Sequence, residues 1–160
     1  MVTGILSALL LAGTSPAPPP VNLTAAERAA AFRAAGFKLQ RGKWSACGDP
    51  GTAAYTPGTI ELAADLNGDG RPEALMSEGS SYCFGATEVG YWLVTKRADG
   101  GWTLLSQGQG MATPLTSRGI ANWPDLQIGG PGFCFPVLRW NGRAYVQNRF
   151  EYEGKRCRPS

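Results

Sequence analysis

Apolar and polar positions follow a helical spacing before residue 40 and a different spacing after it. From Ala25 to Gly36, small and apolar residues recur every three or four positions and form one narrow stripe. Thr24 and Glu27 have the spacing of a capping box, and the segment that follows is rich in strong helix formers. The pattern predicts one helix over about 25–35 whose role is packing.

After residue 40, aromatic and β-branched segments alternate with turns rich in Gly, Pro and Asp, which is typical of antiparallel strands. Asp99-Gly100-Gly101 and Asn141-Gly142 are hairpin turn sequences. The intervals between strands leave little room for crossover helices. The predicted strands lie near 43–47, 59–65, 73–79, 89–97, 101–107, 124–128, 133–140 and 143–152. The sequence therefore predicts a mainly β protein, with an antiparallel two-sheet or propeller-like body and one short N-terminal α-helix.

The first twenty residues contain no Lys, Arg, Asp or Glu. The apolar run 5–12 has the length of a signal-peptide core and is too short to span a bilayer. We expect 1–20 to be a signal peptide with a Pro-rich spacer and 21–160 to be a single disulfide-braced β domain, periplasmic or secreted. A buried or interfacial N-terminal helix is the alternative. No other apolar run has the length of a membrane span.

The amino-acid composition and the net charge exclude or disfavour several classes of function. The 160 residues, 43% of them hydrophobic, suffice for one packed domain. With no His there is no Ser-His-Asp triad, Cys-His dyad or HExxH zinc site. A net charge of +3 is too small to indicate a nucleic-acid partner. The sequence favours a non-enzymatic protein with no catalytic residues, and it leaves the oligomeric state open.

The four cysteines are Cys47, Cys83, Cys134 and Cys157, widely spaced and without a CxxC pair. That spacing favours structural disulfides over zinc or thioredoxin chemistry. Three pairings are possible, and sequence alone does not choose among them. We expect Cys134–Cys157, because a hairpin between them returns the chain to its start, and this leaves Cys47–Cys83.

Residues 65–73 read DLNGDGRPE, with oxygen-bearing residues at alternate positions and Gly70 at the sharp turn. Ca²⁺ takes six to eight oxygen ligands, and such a loop supplies several of them from one short segment. The Glu that an EF-hand has at position twelve is replaced by Met76. An Asx-rich turn without metal is the alternative. The expected ligands are the side chains of Asp65, Asn67, Asp69 and Glu73 and the carbonyl of Arg71.

The loop resembles the calcium loop of FG-GAP/VCBS-type repeats. The resemblance covers about residues 60–79 and implies a Ca²⁺-binding loop between β-strands. Only one such loop is present in the sequence, whereas a propeller would repeat it at a fixed period.

A second resemblance joins this loop to the segment Glu78–Gly85, which reads EGSSYCFG. The two segments together resemble periplasmic inhibitors of invertebrate-type lysozymes and related immunity proteins against peptidoglycan-hydrolase toxins. The resemblance implies that a Ser and a Tyr on a protruding loop block the enzyme's cleft. The expected partner-binding residues are Ser80, Ser81, Tyr82 and Phe84.

From these features we expect an exported, calcium-binding, non-catalytic module that binds another protein, such as a peptidoglycan hydrolase, as an inhibitor or immunity protein. The alternatives are a structural calcium-binding envelope protein and, less favoured, a carbohydrate-binding module or hydrolase. Aromatic residues along the strands are interpreted as core packing rather than a sugar platform. The C-terminal end is basic, which fits either an anionic partner or solvated strand edges.

Overall fold

The computed structural model describes residues 17–159, so the predicted signal-peptide core lies outside the described residues. Within this part of the chain, no helix is long and apolar enough to cross a membrane. The described end of the Pro-rich spacer is extended, and Pro20 and Val21 pair with the edge of a strand at Ala63 and Ala64.

Helix α1 spans Ala25–Ala34, and the predicted capping box is present. The Glu27 amide donates to Thr24 Oγ1 at 3.2 Å, and the Glu27 carboxylate accepts from the Thr24 amide at 2.9 Å. These bonds satisfy amides that the first helical turn otherwise leaves unpaired. The predicted helix is confirmed within one residue at its end.

Eleven strands follow in the described residues, all paired antiparallel. They are β1 Lys38–Gln40, β2 Lys43–Ser45, β3 Thr56–Ala64, β4 Glu73–Gly79, β5 Val89–Lys96, β6 Trp102–Gln109, β7 Met111–Arg118, β8 Pro124–Gly129, β9 Phe135–Trp140, β10 Tyr145–Tyr152 and β11 Lys155–Arg156. Consecutive strands form a two-stranded sheet of β1–β2, a four-stranded sheet of β3–β6 and a five-stranded sheet of β7–β11. A short helical turn, α2, spans Ser81–Phe84. The mainly β prediction is confirmed.

The four-stranded sheet lies in the middle of the molecule. Side chains alternate between its two faces, so Met76 and Trp92 pack with Phe32 of α1. Leu75 and Leu93 face the other way and pack against the five-stranded sheet. The strand aromatics mostly fill these two cores, as interpreted from the sequence.

Strand β7 was not among the predicted strands. Its sequence, MATPLTSR, contains Pro114 and has no regular apolar alternation. The strand lies at the edge of its sheet, and its register with β8 shifts just after Pro114. Proline is tolerated at sheet edges and bulges because no ladder hydrogen bond is required of it there.

Two disulfides involve all four cysteines. Cys47 pairs with Cys83 and Cys134 pairs with Cys157, as expected. The first bond ties the segment after β2 to α2, and the second ties the residue just before β9 to the segment after β11. Two disulfides indicate an oxidising, extracytoplasmic environment.

Candidate functional site: an oxygen-rich loop and a fixed aromatic turn

The segment 65–73 joins β3 to β4 and is folded around the carboxylate of Asp65. Asp65 Oδ1 accepts from the amides of Gly68 at 2.8 Å and Asp69 at 3.1 Å, and Oδ2 accepts from Gly70 at 2.8 Å. Gly68 and Gly70 have φ of +81° and +82°, a conformation that favours glycine. The first position of the motif therefore holds the loop in a tight curve.

Two further side chains of the motif bond to amides within the loop. Asn67 Oδ1 accepts from the Asp69 amide at 3.0 Å, and Asp69 Oδ1 accepts from the Arg71 amide at 2.9 Å. The Arg71 guanidinium also donates to Asp69 Oδ2 at 2.5 Å. Each carboxylate oxygen has two acceptor sites, so some acceptor capacity remains for another ligand.

Glu73 lies beneath the loop and is fully buried. Its Oε2 accepts from the Leu66 amide and its Oε1 from Thr95 Oγ1, each at 2.7 Å. Burial raises the pKa of Glu73 to about 7, and the charges of Asp69 and Asp65 add to this despite the two hydrogen bonds. Glu73 thus braces the loop in this conformation, although its motif position predicts a ligand.

The donor chemistry of the loop fits a hard divalent cation. Carboxylate, amide and carbonyl oxygens are the ligands that Ca²⁺ prefers, and segment 65–73 contains three carboxylates and one arginine. As arranged, however, no three Asp, Glu, Cys or His side chains converge at ligand distance among residues 17–159. A cation at this loop would compete with Arg71 for Asp69 Oδ2.

The loop is also attached to the five-stranded sheet. Asn122 Nδ2 donates to the Asn67 carbonyl at 2.8 Å, and Arg118 Nη1 donates to the Leu66 carbonyl at 2.5 Å. Asn122 and its neighbour Ala121 have φ of +61° and +52°, a left-handed conformation uncommon for such residues. The loop therefore lies where the two large sheets meet.

At the opposite end of β4, the predicted partner-binding segment forms α2 rather than an open loop. Ser80 is fully buried, accepts from the Cys83 amide at 3.1 Å and donates to Asp49 Oδ2 at 2.5 Å. Phe84 packs edge-on against Trp92 in the core. Ser80 and Phe84 therefore hold the turn in place and are not surface contacts, a correction to the expectation from sequence.

The exposed part of the segment is Ser81 and Tyr82, and 67% of Tyr82 is accessible to solvent. Cys83, the next residue, is bonded to Cys47. Tyr82 is therefore exposed on a turn that is held by buried Ser80, by the disulfide at Cys83 and by the buried ring of Phe84. We name residues Ser80–Phe84 the Tyr82 turn.

Glu78 supports the Tyr82 turn from below and was not predicted to do so. It is fully buried, and its Oε2 accepts from the amides of Cys47 at 2.9 Å and Ala46 at 3.1 Å. Its Oε1 accepts from Tyr55 Oη at 2.9 Å and Ser45 Oγ at 3.1 Å. Glu78 therefore fixes the backbone that carries one half of the Cys47–Cys83 disulfide.

Asp49 completes this support. Burial acts to raise its pKa, but hydrogen bonds from Ser80, Thr52 and Gly51 outweigh burial and hold the pKa at about 2. The carboxylate is therefore ionised at neutral pH and remains a strong acceptor for the Ser80 hydroxyl.

No protein-family model, no curated protein and no solved structure matches this chain. The functional inference consequently depends on the geometry of the loop and of the Tyr82 turn. Both are built on β4, one at each end of the strand.

Proposed function

We propose that the protein is an exported, calcium-binding, non-catalytic module that binds another protein through the Tyr82 turn. The observation that carries the proposal is a solvent-exposed Tyr82 on a turn fixed from both sides. A turn already ordered before association loses less conformational entropy on binding. Exposed tyrosines are frequent anchors of protein interfaces because they bury a large rigid area and keep a polar end.

The partner class that we propose is a cell-wall hydrolase, for which the protein acts as an inhibitor or immunity protein. The Tyr82 and Ser81 hydroxyls can donate to a carboxylate in a hydrolase cleft. The net charge of +3 disfavours a basic hydrolase, because like charges slow association. A neutral or acidic hydrolase of the same compartment, periplasmic or outside the cell, is therefore the better target.

The test is inhibition of peptidoglycan hydrolysis by the purified protein. Tyr82→Ala should weaken inhibition by about thirtyfold, since truncation of an aromatic anchor commonly costs about 2 kcal/mol of binding free energy. Leu39→Ala is the control, because 55% of Leu39 is exposed and it lies on β1, outside the Tyr82 turn. Equal inhibition by wild type and Tyr82→Ala, or binding to no co-resident wall hydrolase, contradicts the inhibitor function.

For the loop, we propose that Asp65, Asn67 and Asp69 supply side-chain oxygens to one Ca²⁺ and that Arg71 supplies its carbonyl. Glu73 is the fifth candidate ligand. An affinity on the order of 10⁻⁴–10⁻³ M is typical of extracellular modules. The metal neutralises the surplus negative charge of the loop and stabilises the end of β4 opposite the Tyr82 turn.

Calorimetry with added calcium tests whether the 65–73 loop binds Ca²⁺. At a hundredfold excess over Kd the free energy of unfolding should rise by about 2.7 kcal/mol. Asp69→Ala should abolish this response. Asp99→Ala is the control, because Asp99 is also an exposed turn carboxylate paired with an arginine two residues away. Absence of both heat and a thermal shift at calcium concentrations up to about 100 mM, a hundredfold excess over the weakest expected Kd, contradicts the site.

If calcium binds but no hydrolase does, the alternative of a structural calcium-binding envelope protein takes the place of the inhibitor. The loop joins β3 to β4 and is attached to the five-stranded sheet through Arg118 and Asn122, which supports this second candidate. The two experiments therefore separate the role of the metal from the role of the Tyr82 turn.

A further inference from the structure

The positive charge of the protein is concentrated in its last hairpin. The whole chain has a net charge of +3, while residues 139–159 contain six basic and two acidic side chains, so the rest of the chain is close to neutral. The basic residues are Arg139, Arg143, Arg149, Lys155, Arg156 and Arg158, and the acidic ones are Glu151 and Glu153.

Two adjoining concave surfaces lie along this hairpin, and Asn148 lines both of them. One includes Arg149, Arg156 and Arg158 beside the Cys134–Cys157 disulfide. The other surface includes Arg118, Arg139, Trp140 and Asn141. Among residues 17–159, no carboxylate lines either surface. We name these two surfaces together the arginine groove.

A buried carboxylate fixes two of its arginines. Asp125 is fully buried and accepts from Arg139 Nε at 2.9 Å and Nη2 at 2.8 Å. It also accepts from Arg149 Nη1 and from Ser117 Oγ, each at 2.6 Å. Glu151 accepts from Arg149 as well. These bonds hold the groove's floor in one arrangement and largely neutralise it.

The rim of the groove is different. Arg156 and Arg158 are exposed, and neither forms an ion pair with another residue of the described range 17–159. Their backbone is tied down by the disulfide at Cys157. Two guanidinium groups that form no ion pair within residues 17–159 therefore lie along this concave surface.

We propose that the arginine groove binds a linear, carboxylate-bearing polysaccharide. Guanidinium groups match the geometry of carboxylates through paired N–H donors. The side-chain amides of Asn141 and Asn148 can bond to sugar hydroxyls between the charged groups. An oxidising, extracytoplasmic environment and a small net charge favour an anionic glycan over a nucleic acid. The proposal does not depend on calcium or on the Tyr82 turn.

The experiment titrates the full protein with polygalacturonate at 50 mM and 200 mM NaCl, with chelator present so that calcium does not bridge the polymer. Neutral dextran and a single-stranded 20-nucleotide DNA are the comparison probes. Binding to polygalacturonate should weaken about tenfold over this salt range, as expected for about two charge contacts, by analogy with nucleic-acid polyanions. Dextran should not bind, and the DNA should bind more weakly.

The variant Arg156→Gln/Arg158→Gln should lose about tenfold in affinity at 50 mM NaCl. The control Arg28→Gln/Lys43→Gln removes the same charge from exposed positions on α1 and β2 and should lose twofold or less. No binding of polygalacturonate at 50 mM NaCl overturns the proposal. Equal losses in the two variants also overturn it, because they would show general charge attraction, and tighter binding of DNA would assign the groove to nucleic acid.

Discussion

Glu78 provides the sharpest test of how the Tyr82 turn is held. The substitution Glu78→Leu keeps a side chain of similar size but removes four accepted contacts, those with Ser45, Ala46, Cys47 and Tyr55. The two hydroxyls can find other partners by rotation, whereas the two backbone amides cannot. A buried amide without an acceptor costs about 1–3 kcal/mol.

The two amides that are left without an acceptor together imply that the free energy of unfolding falls by about 2–6 kcal/mol. Removing a buried charge offsets part of this loss, because the carboxylate no longer has to be desolvated. Water also reaches Ala46, which is exposed, so its amide contributes the smaller share. We therefore expect Glu78→Leu to lower the free energy of unfolding by about 3 kcal/mol.

Glu78→Gln should cost less, about 1 kcal/mol. Its amide oxygen can accept from the Cys47 and Ala46 amides while its NH₂ group turns towards Tyr55 and Ser45, whose hydroxyls can accept. Tyr55→Phe is the control, since it removes one of these bonds and strands no amide. It should also cost about 1 kcal/mol.

Urea unfolding with the disulfides intact measures all three variants, and an unchanged denaturant slope shows that the comparison is valid. We expect Glu78→Leu to be much more destabilising than either Glu78→Gln or Tyr55→Phe. If Glu78→Leu were as stable as wild type, or if Gln were as damaging as Leu, the role of Glu78 as acceptor for the backbone would be refuted.

Three further predictions concern the rest of the scaffold. Asp125→Asn should lower the free energy of unfolding by about 3 kcal/mol at pH 7. Hydrogen bonds from the two arginines and a serine outweigh the effect of burial and lower the pKa of Asp125 to about 2. In acid-unfolding curves the wild-type advantage should therefore be present above pH 4 and be lost as the pH falls towards 2. Gly110→Ala should destabilise the protein at the junction of the two large sheets by about 2 kcal/mol or more in thermal unfolding. The φ of Gly110 is +107°, and the new Cβ would lie 2.5 Å from the Gly129 carbonyl oxygen. Unchanged stability would show that the junction can shift. Thiol labelling of the denatured, unreduced protein should find no reactive cysteine; two reactive thiols would contradict one of the disulfides, and four would contradict both.

Local signals in the sequence predict the elements that depend on nearby residues. The capping box at Thr24 and the Asn141-Gly142 turn each act within a few positions, and the helix and the hairpin occur where these signals place them. Strand β7 escaped prediction because Pro114 opposes a strand locally. Its place at a sheet edge, which the sequence does not show, makes that proline acceptable.

The candidate site was predicted only in part, for a related reason. The 65–73 motif is contiguous, so its oxygen-bearing residues could be recognised directly. The roles of Glu78 and Ser80 depend on partners 23–33 positions away, at residues 45–55. No pattern of spacing reports such contacts, and both residues were therefore grouped with the surface segment that they support.

The order of the disulfides along the chain has a consequence for biogenesis. The Cys47–Cys83 bond closes 36 positions and the Cys134–Cys157 bond closes 23, and the two intervals neither overlap nor nest. Both large sheets also pair only strands that are consecutive in the chain. A polypeptide that enters an oxidising compartment with its N-terminus first thus reaches the native pairing by oxidising its cysteines in the order of their arrival. Vectorial folding of this kind requires no reshuffling of disulfides by an isomerase.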